Sequence, residues 1–151
     1  MLVSDLLSAE SVLPDVRVRS KKRLLEVISA AMADDAAGFH ERDIFESLVA
    51  REKLGSTGLG NGVAIPHGRV AGASTVQAVF VRLARPVPFD AVDGEPVDLL
   101  FALAVPEHCT NDHLKLLAQI AELFSDAELV GALREAAGGS ELLQLLSDAQ
   151  R

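Results

Sequence analysis

Seven consecutive apolar residues, Leu99 to Val105, constrain the fold of this chain more than any other feature. A strand this uniformly apolar is covered on both faces, whereas a half-exposed strand alternates apolar and polar residues. Val76 to Leu83 is a second β-rich apolar run, and Val63-Ala-Ile65 is a shorter strand candidate closed by Pro66. Amphipathic helices should cover them. Leu24, Leu25, Ile28, Ala31 and Met32 recur at helical spacing over Lys21 to Asp34, behind the N-cap candidate Ser20. Ile44, Phe45, Leu48 and Val49 repeat the pattern over Glu41 to Leu54. Thr110 or Asn111 can cap a third helix carrying Leu114, Leu116, Leu117, Ile120, Leu123 and Phe124. Shorter helices are expected near Asp126 to Ala137 and Ser140 to Ala149. Helices outnumber strands in this reading. No internal repeat, low-complexity tract or linker-like shift divides residues 1–151, so the expectation is one α/β domain with helices on both faces of a sheet.

Charge and composition exclude several functions. Asp and Glu number 22 against 14 Lys and Arg, a net charge of −8, which argues against nucleic acid and favours solubility or a basic partner protein. Base-stacking platforms are scarce as well, because the chain has no Trp or Tyr. The longest apolar run is far too short to cross a bilayer, so no membrane insertion is expected. Met1 to Glu10 carries Asp5 and Glu10 and lacks the basic start and cleavage site of a secretory signal, which points to the cytoplasm. Cys109 is the single cysteine, and the four histidines form no H-x-x-x-H pair. Neither a disulfide nor a metal site is expected.

Candidate chemistry concentrates in Arg51 to Arg69. Glycines 55, 58, 60, 62 and 68 let the backbone approach a ligand closely, and their N–H groups can form an anion nest. A phosphate group suits such a nest. The segment is neither a P-loop nor a G-x-G-x-x-G fingerprint, so no nucleotide or other cofactor is expected. His67, framed by Pro66 and Gly68, carries an imidazole that can attack a phosphoryl group near neutral pH and hold it covalently. Arg51 and Arg69 can supply forked contacts to the phosphate oxygens, with Thr57, Gly60, Asn61 and Gly62 as further phosphate-binding candidates. If Thr110 caps its helix, His113 falls in the first turn, where free N–H groups favour an anion. Taken singly, each residue has a plainer reading. A histidine beside glycines is more often a turn residue, Arg51 a solvated helix-end cation, and His113 a part-buried helix residue.

Read together, Gly55-Ser-Thr-Gly-Leu-Gly-Asn-Gly-Val-Ala-Ile-Pro-His-Gly-Arg69 closely resembles the phosphorylation-site signature of the type-2 enzyme IIA family of the bacterial phosphotransferase system. Val97 to Pro106 and Asp112-His-Leu114 are similar to the family's following core strand and second active-site histidine, so the resemblance spans almost the whole chain. Within the family, the chain is most similar to the nitrogen-regulatory branch. That judgement rests on Ser11 to Glu26, on Arg51-Glu-Lys-Leu-Gly-Ser-Thr57, and on Asn61, where mannitol-type members tend to carry an acidic residue. The resemblance implies a mixed sheet flanked by helices, and a phosphoryl group accepted by His67 from a phosphohistidine on an HPr-like carrier. It also implies that His113 lies beside His67 and that Arg51 steadies the phosphate. Phosphorylation-dependent binding to targets such as potassium transporters or sensor kinases is implied for the regulatory branch. Two alternatives stand beside it: the IIA component of fructose- or mannitol-type sugar uptake, and a pure interaction module in which His67 is incidental.

Overall fold

The computed structural model describes residues 3–108 and 111–149. In chain order its elements are β1 (Val12–Val16), α1 (Lys21–Met32), α2 (Glu41–Lys53), β2 (Gly58–Gly60), β3 (Val63–Ala64) and β4 (His67–Val70). Then follow β5 (Gln77–Val87), β6 (Val97–Pro106), α3 (Asn111–Leu123), α4 (Ala127–Glu135) and α5 (Gly139–Asp148). Two of the helices, α1 and α4, start at side-chain caps that the sequence offers. Ser20 Oγ accepts the Arg23 N–H at 3.1 Å, and Asp126 Oδ1 accepts from Glu128 and Leu129 at 3.0 and 3.3 Å. α1 stops short of the expected Asp34, because Asp34 leaves the helix to form a bridge with Phe39.

The six strands form one mixed sheet in the order β1-β5-β6-β3-β2, with β4 also on β6. The two long apolar runs are its centre: β5 and β6 pair antiparallel, Phe80 opposite Phe101. Successive side chains of a strand face opposite ways, and both faces here are apolar. Val79, Val81, Leu100, Ala102 and Ala104 face Leu24, Ile28, Ile44 and Leu48 of α1 and α2. Phe80, Leu99, Phe101, Leu103 and Val105 face Ile120, Leu133, Leu142 and Leu146 of α3 to α5, and Phe124 just beyond the end of α3. Helices therefore cover both faces, as the runs required.

β3 and β4 continue one another along β6. Val63 lies opposite Leu99 and His67 opposite Leu103, so the register is unbroken across Ile65-Pro66. Pro66 has no N–H to give the ladder, and only its carbonyl stays paired, accepting from Leu103 at 3.0 Å. β1, β2 and β4 went unread in the sequence, and β4 holds His67 on a strand rather than in a turn. Among the described residues, no helix is long and apolar enough to cross a membrane.

Candidate functional site

Strand register decides where His67 points. Paired residues of parallel strands project to the same side, so His67, opposite Leu103, faces the α3 layer. Arg69, two residues on, takes the same side. His113, on the first turn of α3, comes down to meet them, and the two imidazole centroids are 5.7 Å apart at an interplanar angle of 74°. Sequence-distant His67 and His113 are thus neighbours. The Thr110 cap considered for α3 lies outside the described residues, as does Cys109. Beside His113 a cleft of about 380 Å³ opens between Val76, Val105, Leu116 and Gln119.

Gly68, between His67 and Arg69, projects to the opposite face, where α2 crosses β4. A Cβ on Gly68 would lie 2.8 Å from Ser47 Cβ and 3.0 Å from the Ser47 carbonyl carbon. This glycine is a packing requirement. Its backbone is ordinary strand, not a conformation that frees His67.

Hydrogen bonding fixes the chemistry of the His67 ring. Nδ1 lies 2.8 Å from the Ile65 carbonyl oxygen, which can only accept, so Nδ1 carries the proton. Nε2 keeps its lone pair. Burial pushes the imidazole below the ordinary histidine range; the Ile65 bond opposes this, Arg51 reinforces it, and Glu52 opposes it. His113 is pushed down too, by burial first and then by His67 and Arg69. Among the described residues its Nδ1 is buried without a partner, so protonation there would enclose an N–H that none of them satisfies. The favoured form of His113 is therefore neutral, with its proton on Nε2.

Arg51, in the last turn of α2, is within electrostatic reach of His67, and its Nη1 donates to the Gly55 carbonyl at 2.8 Å. Arg69 has the same reach to His113. Two guanidinium groups thus border a neutral imidazole pair, His67 half-buried and His113 buried, an arrangement that can attract a phosphoryl group and leaves a nitrogen free to bond it.

The glycine segment divides in two. Thr57 lies near the site, opposite Ile65, but its N–H and hydroxyl both donate to the Glu52 carboxylate. The structure does not bring Gly60, Asn61 and Gly62 to the imidazoles. They form the β2–β3 turn beside Val97 to Leu99, four residues and about 13 Å along the strand from His67 at ~3.3 Å per residue. The Asn61 backbone and the Gly62 carbonyl are already engaged. The Asn61 N–H donates to Asp93 at 2.9 Å, Arg134 donates to the Asn61 carbonyl, and Arg134 is paired with Asp98 at 2.9 Å. Asn61 and Gly62 have positive φ, so the turn is built by conformation and held by charge. Glu52 escaped the sequence reading; its adjacency to Arg51 was the available signal.

Comparisons with known proteins identify the family. Residues 5–149 match the family described as "Phosphoenolpyruvate-dependent sugar phosphotransferase system, EIIA 2". The chain is 50% identical over 131 residues to the nitrogen regulatory protein of Pseudomonas aeruginosa, covering 87% of this chain and 85% of that one. Its counterpart from Bradyrhizobium diazoefficiens is 43% identical over 147 residues, 97% and 95% of the two chains. The crystal structure of nitrogen regulatory protein IIA-Ntr from Neisseria meningitidis superposes with a TM-score of 0.90 at 42% identity, covering 95% of this chain and 98% of that one. With the family matched almost end to end and the fold shared, this chain belongs to the EIIA type-2 family of the phosphotransferase system and is most similar to its nitrogen-regulatory members.

Proposed function

We propose that this protein is a phosphocarrier that accepts a phosphoryl group on His67 Nε2 from the phosphohistidine of an HPr-like carrier. The Nε2 lone pair forms the new N–P bond as the donor's N–P bond breaks, and the released electron pair returns to the donor imidazole. Arg51 and Arg69 offset the charge of the group in transit, and His113 donates to it from Nε2. Positioning and electrostatics then supply the catalysis. The observation that carries this reading is the bond from His67 Nδ1 to the Ile65 carbonyl, which leaves Nε2 unprotonated toward the side occupied by His113. Leu54, one turn beyond Arg51, and Leu114, next to His113, are exposed at 85% and 63%, apolar surface that a docking carrier would cover.

The phosphorylated state serves as a regulatory mark on cytoplasmic protein targets, of the kind represented by potassium transporters or sensor kinases. Support comes from identity of 50% to a protein named for nitrogen regulation. Added phosphate charge at a half-buried site changes a protein surface strongly enough to switch binding.

Incubation with phosphoenolpyruvate, enzyme I and an HPr-type carrier tests the assignment. One acid-labile label per chain is expected, absent in His67→Ala and slowed in His113→Gln. Label retained by folded His67→Ala, or never acquired by the wild type, refutes it.

A further inference from the structure

Glu52 is a carboxylate whose side chain is only 6% exposed, and the transfer reaction described above does not use it. Its place in the ladder gives it one. β2 and β3 are antiparallel with Gly58 opposite Ala64, so the next pair outward is Thr57 opposite Ile65. The Ile65 N–H donates to the Thr57 carbonyl at 3.1 Å. Residues paired in this way exchange two hydrogen bonds, so the Thr57 N–H should return to the Ile65 carbonyl. It does not. It donates instead to Glu52 Oε1 at 3.2 Å, while the Thr57 hydroxyl donates to Oε2 and Lys21 Nζ holds Oε1 at 3.0 Å. The Ile65 carbonyl is thereby left for His67 Nδ1, at 2.8 Å.

We propose that Glu52 is a positioning residue for His67. By withholding the Thr57 N–H from the Ile65 carbonyl, it leaves that oxygen to fix the imidazole as the Nδ1–H tautomer, with Nε2 unprotonated. A free neutral histidine prefers the opposite tautomer, so without this arrangement the proton would sit on the nitrogen that must attack. A carbonyl can accept two donors, and the competition is therefore graded. A second donor from Thr57 draws the oxygen into the ladder and weakens the bond to Nδ1. Lys21, from α1, keeps the carboxylate over Thr57, so the tautomer of a residue on β4 depends on how two helices on the opposite face are joined.

The functional half of this inference rests on Nε2 being the acceptor nitrogen; the hydrogen-bond half does not. Two-bond ¹H–¹⁵N correlation spectra of the histidine rings, recorded where the imidazoles are neutral, read the tautomer directly. Wild-type His67 is expected as Nδ1–H. Glu52→Ala should move it several-fold toward Nε2–H, and phosphoryl uptake should fall by the same factor as the population of competent tautomer. Glu52→Gln, whose amide oxygen still accepts the Thr57 N–H, should keep the wild-type tautomer. If Glu52→Ala unfolds, the Lys21→Met/Glu52→Met pair removes both charges and gives the same reading. A wild-type Nε2–H tautomer would overturn both this inference and the choice of acceptor nitrogen. A Nδ1–H tautomer unmoved by loss of Glu52 would overturn this inference alone.

Discussion

Gly68→Ala is the smallest perturbation that tests how the site is mounted. The added Cβ would stand 2.8 Å from Ser47 Cβ and 3.0 Å from the Ser47 carbonyl carbon, where carbon pairs settle at about 3.5–4.0 Å. The Ser47 hydroxyl can rotate away, but its Cβ and backbone cannot. α2 must retreat from β4 by half an ångström or more, loosening Ile44 and Leu48 in the core beneath it. Overpacking of this kind costs about 2–3 kcal/mol, which at about 2–4 °C per kcal/mol lowers Tm by roughly 5–10 °C. Ser47→Gly deletes the nearest atoms at a cost of about 0.5 kcal/mol in helix propensity, so the double variant should recover at least about 1 kcal/mol. With no Trp or Tyr in the chain, urea unfolding is best followed by far-ultraviolet circular dichroism. A loss below about 0.5 kcal/mol for Gly68→Ala, or no recovery with Ser47→Gly, would refute the claim that α2 contact dictates this glycine.

Other perturbations separate the two ends of the glycine segment and test the imidazoles. Arg134→Met frees the Asn61 carbonyl and Asp98, and should cost about 1 kcal/mol while leaving the initial rate of phosphoryl uptake within about twofold. A tenfold slower rate would return Gly60, Asn61 and Gly62 to the phosphate site. His67 and His113 both hold protons less tightly in the folded chain than at the ordinary value of 6.5, so the unfolded chain binds protons first as pH falls. Their contribution to stability is complete above 6.5 and is lost as pH drops below it, and His113→Gln should flatten that decline in urea titrations. A wild-type His67 titration midpoint above 6.5 in NMR spectra would show the sign to be wrong.

The layered architecture was legible because a strand as uniformly apolar as Leu99 to Val105 has no alternative to cover on both sides. Ser20 was legible as a cap for the same local reason: its partner, the Arg23 N–H, is three residues away. β4 was not, since His67-Gly-Arg-Val70 contains a single apolar residue and acquires strand geometry only by lying along β6. The fate of Asn61 was equally hidden. Its partners Asp93 and Arg134 lie 32 and 73 residues away, and a segment rich in glycine reads alike whether it cradles a phosphate or is clamped by side chains. Glu52 was overlooked because its place beside Arg51, the one signal in the sequence, does not reveal a hydrogen bond that the ladder omits.

The close approach of α2 to β4 also bears on how the chain finds its fold. A strand of four residues with little apolar alternation has weak intrinsic pairing preference, and such strands are prone to slip. Here a slip by one position would drive His67 or Arg69 into a space that rejects even a methyl group. Misaligned chains are therefore excluded sterically, and the residue that carries no side chain acts as the key for the imidazole mounted beside it.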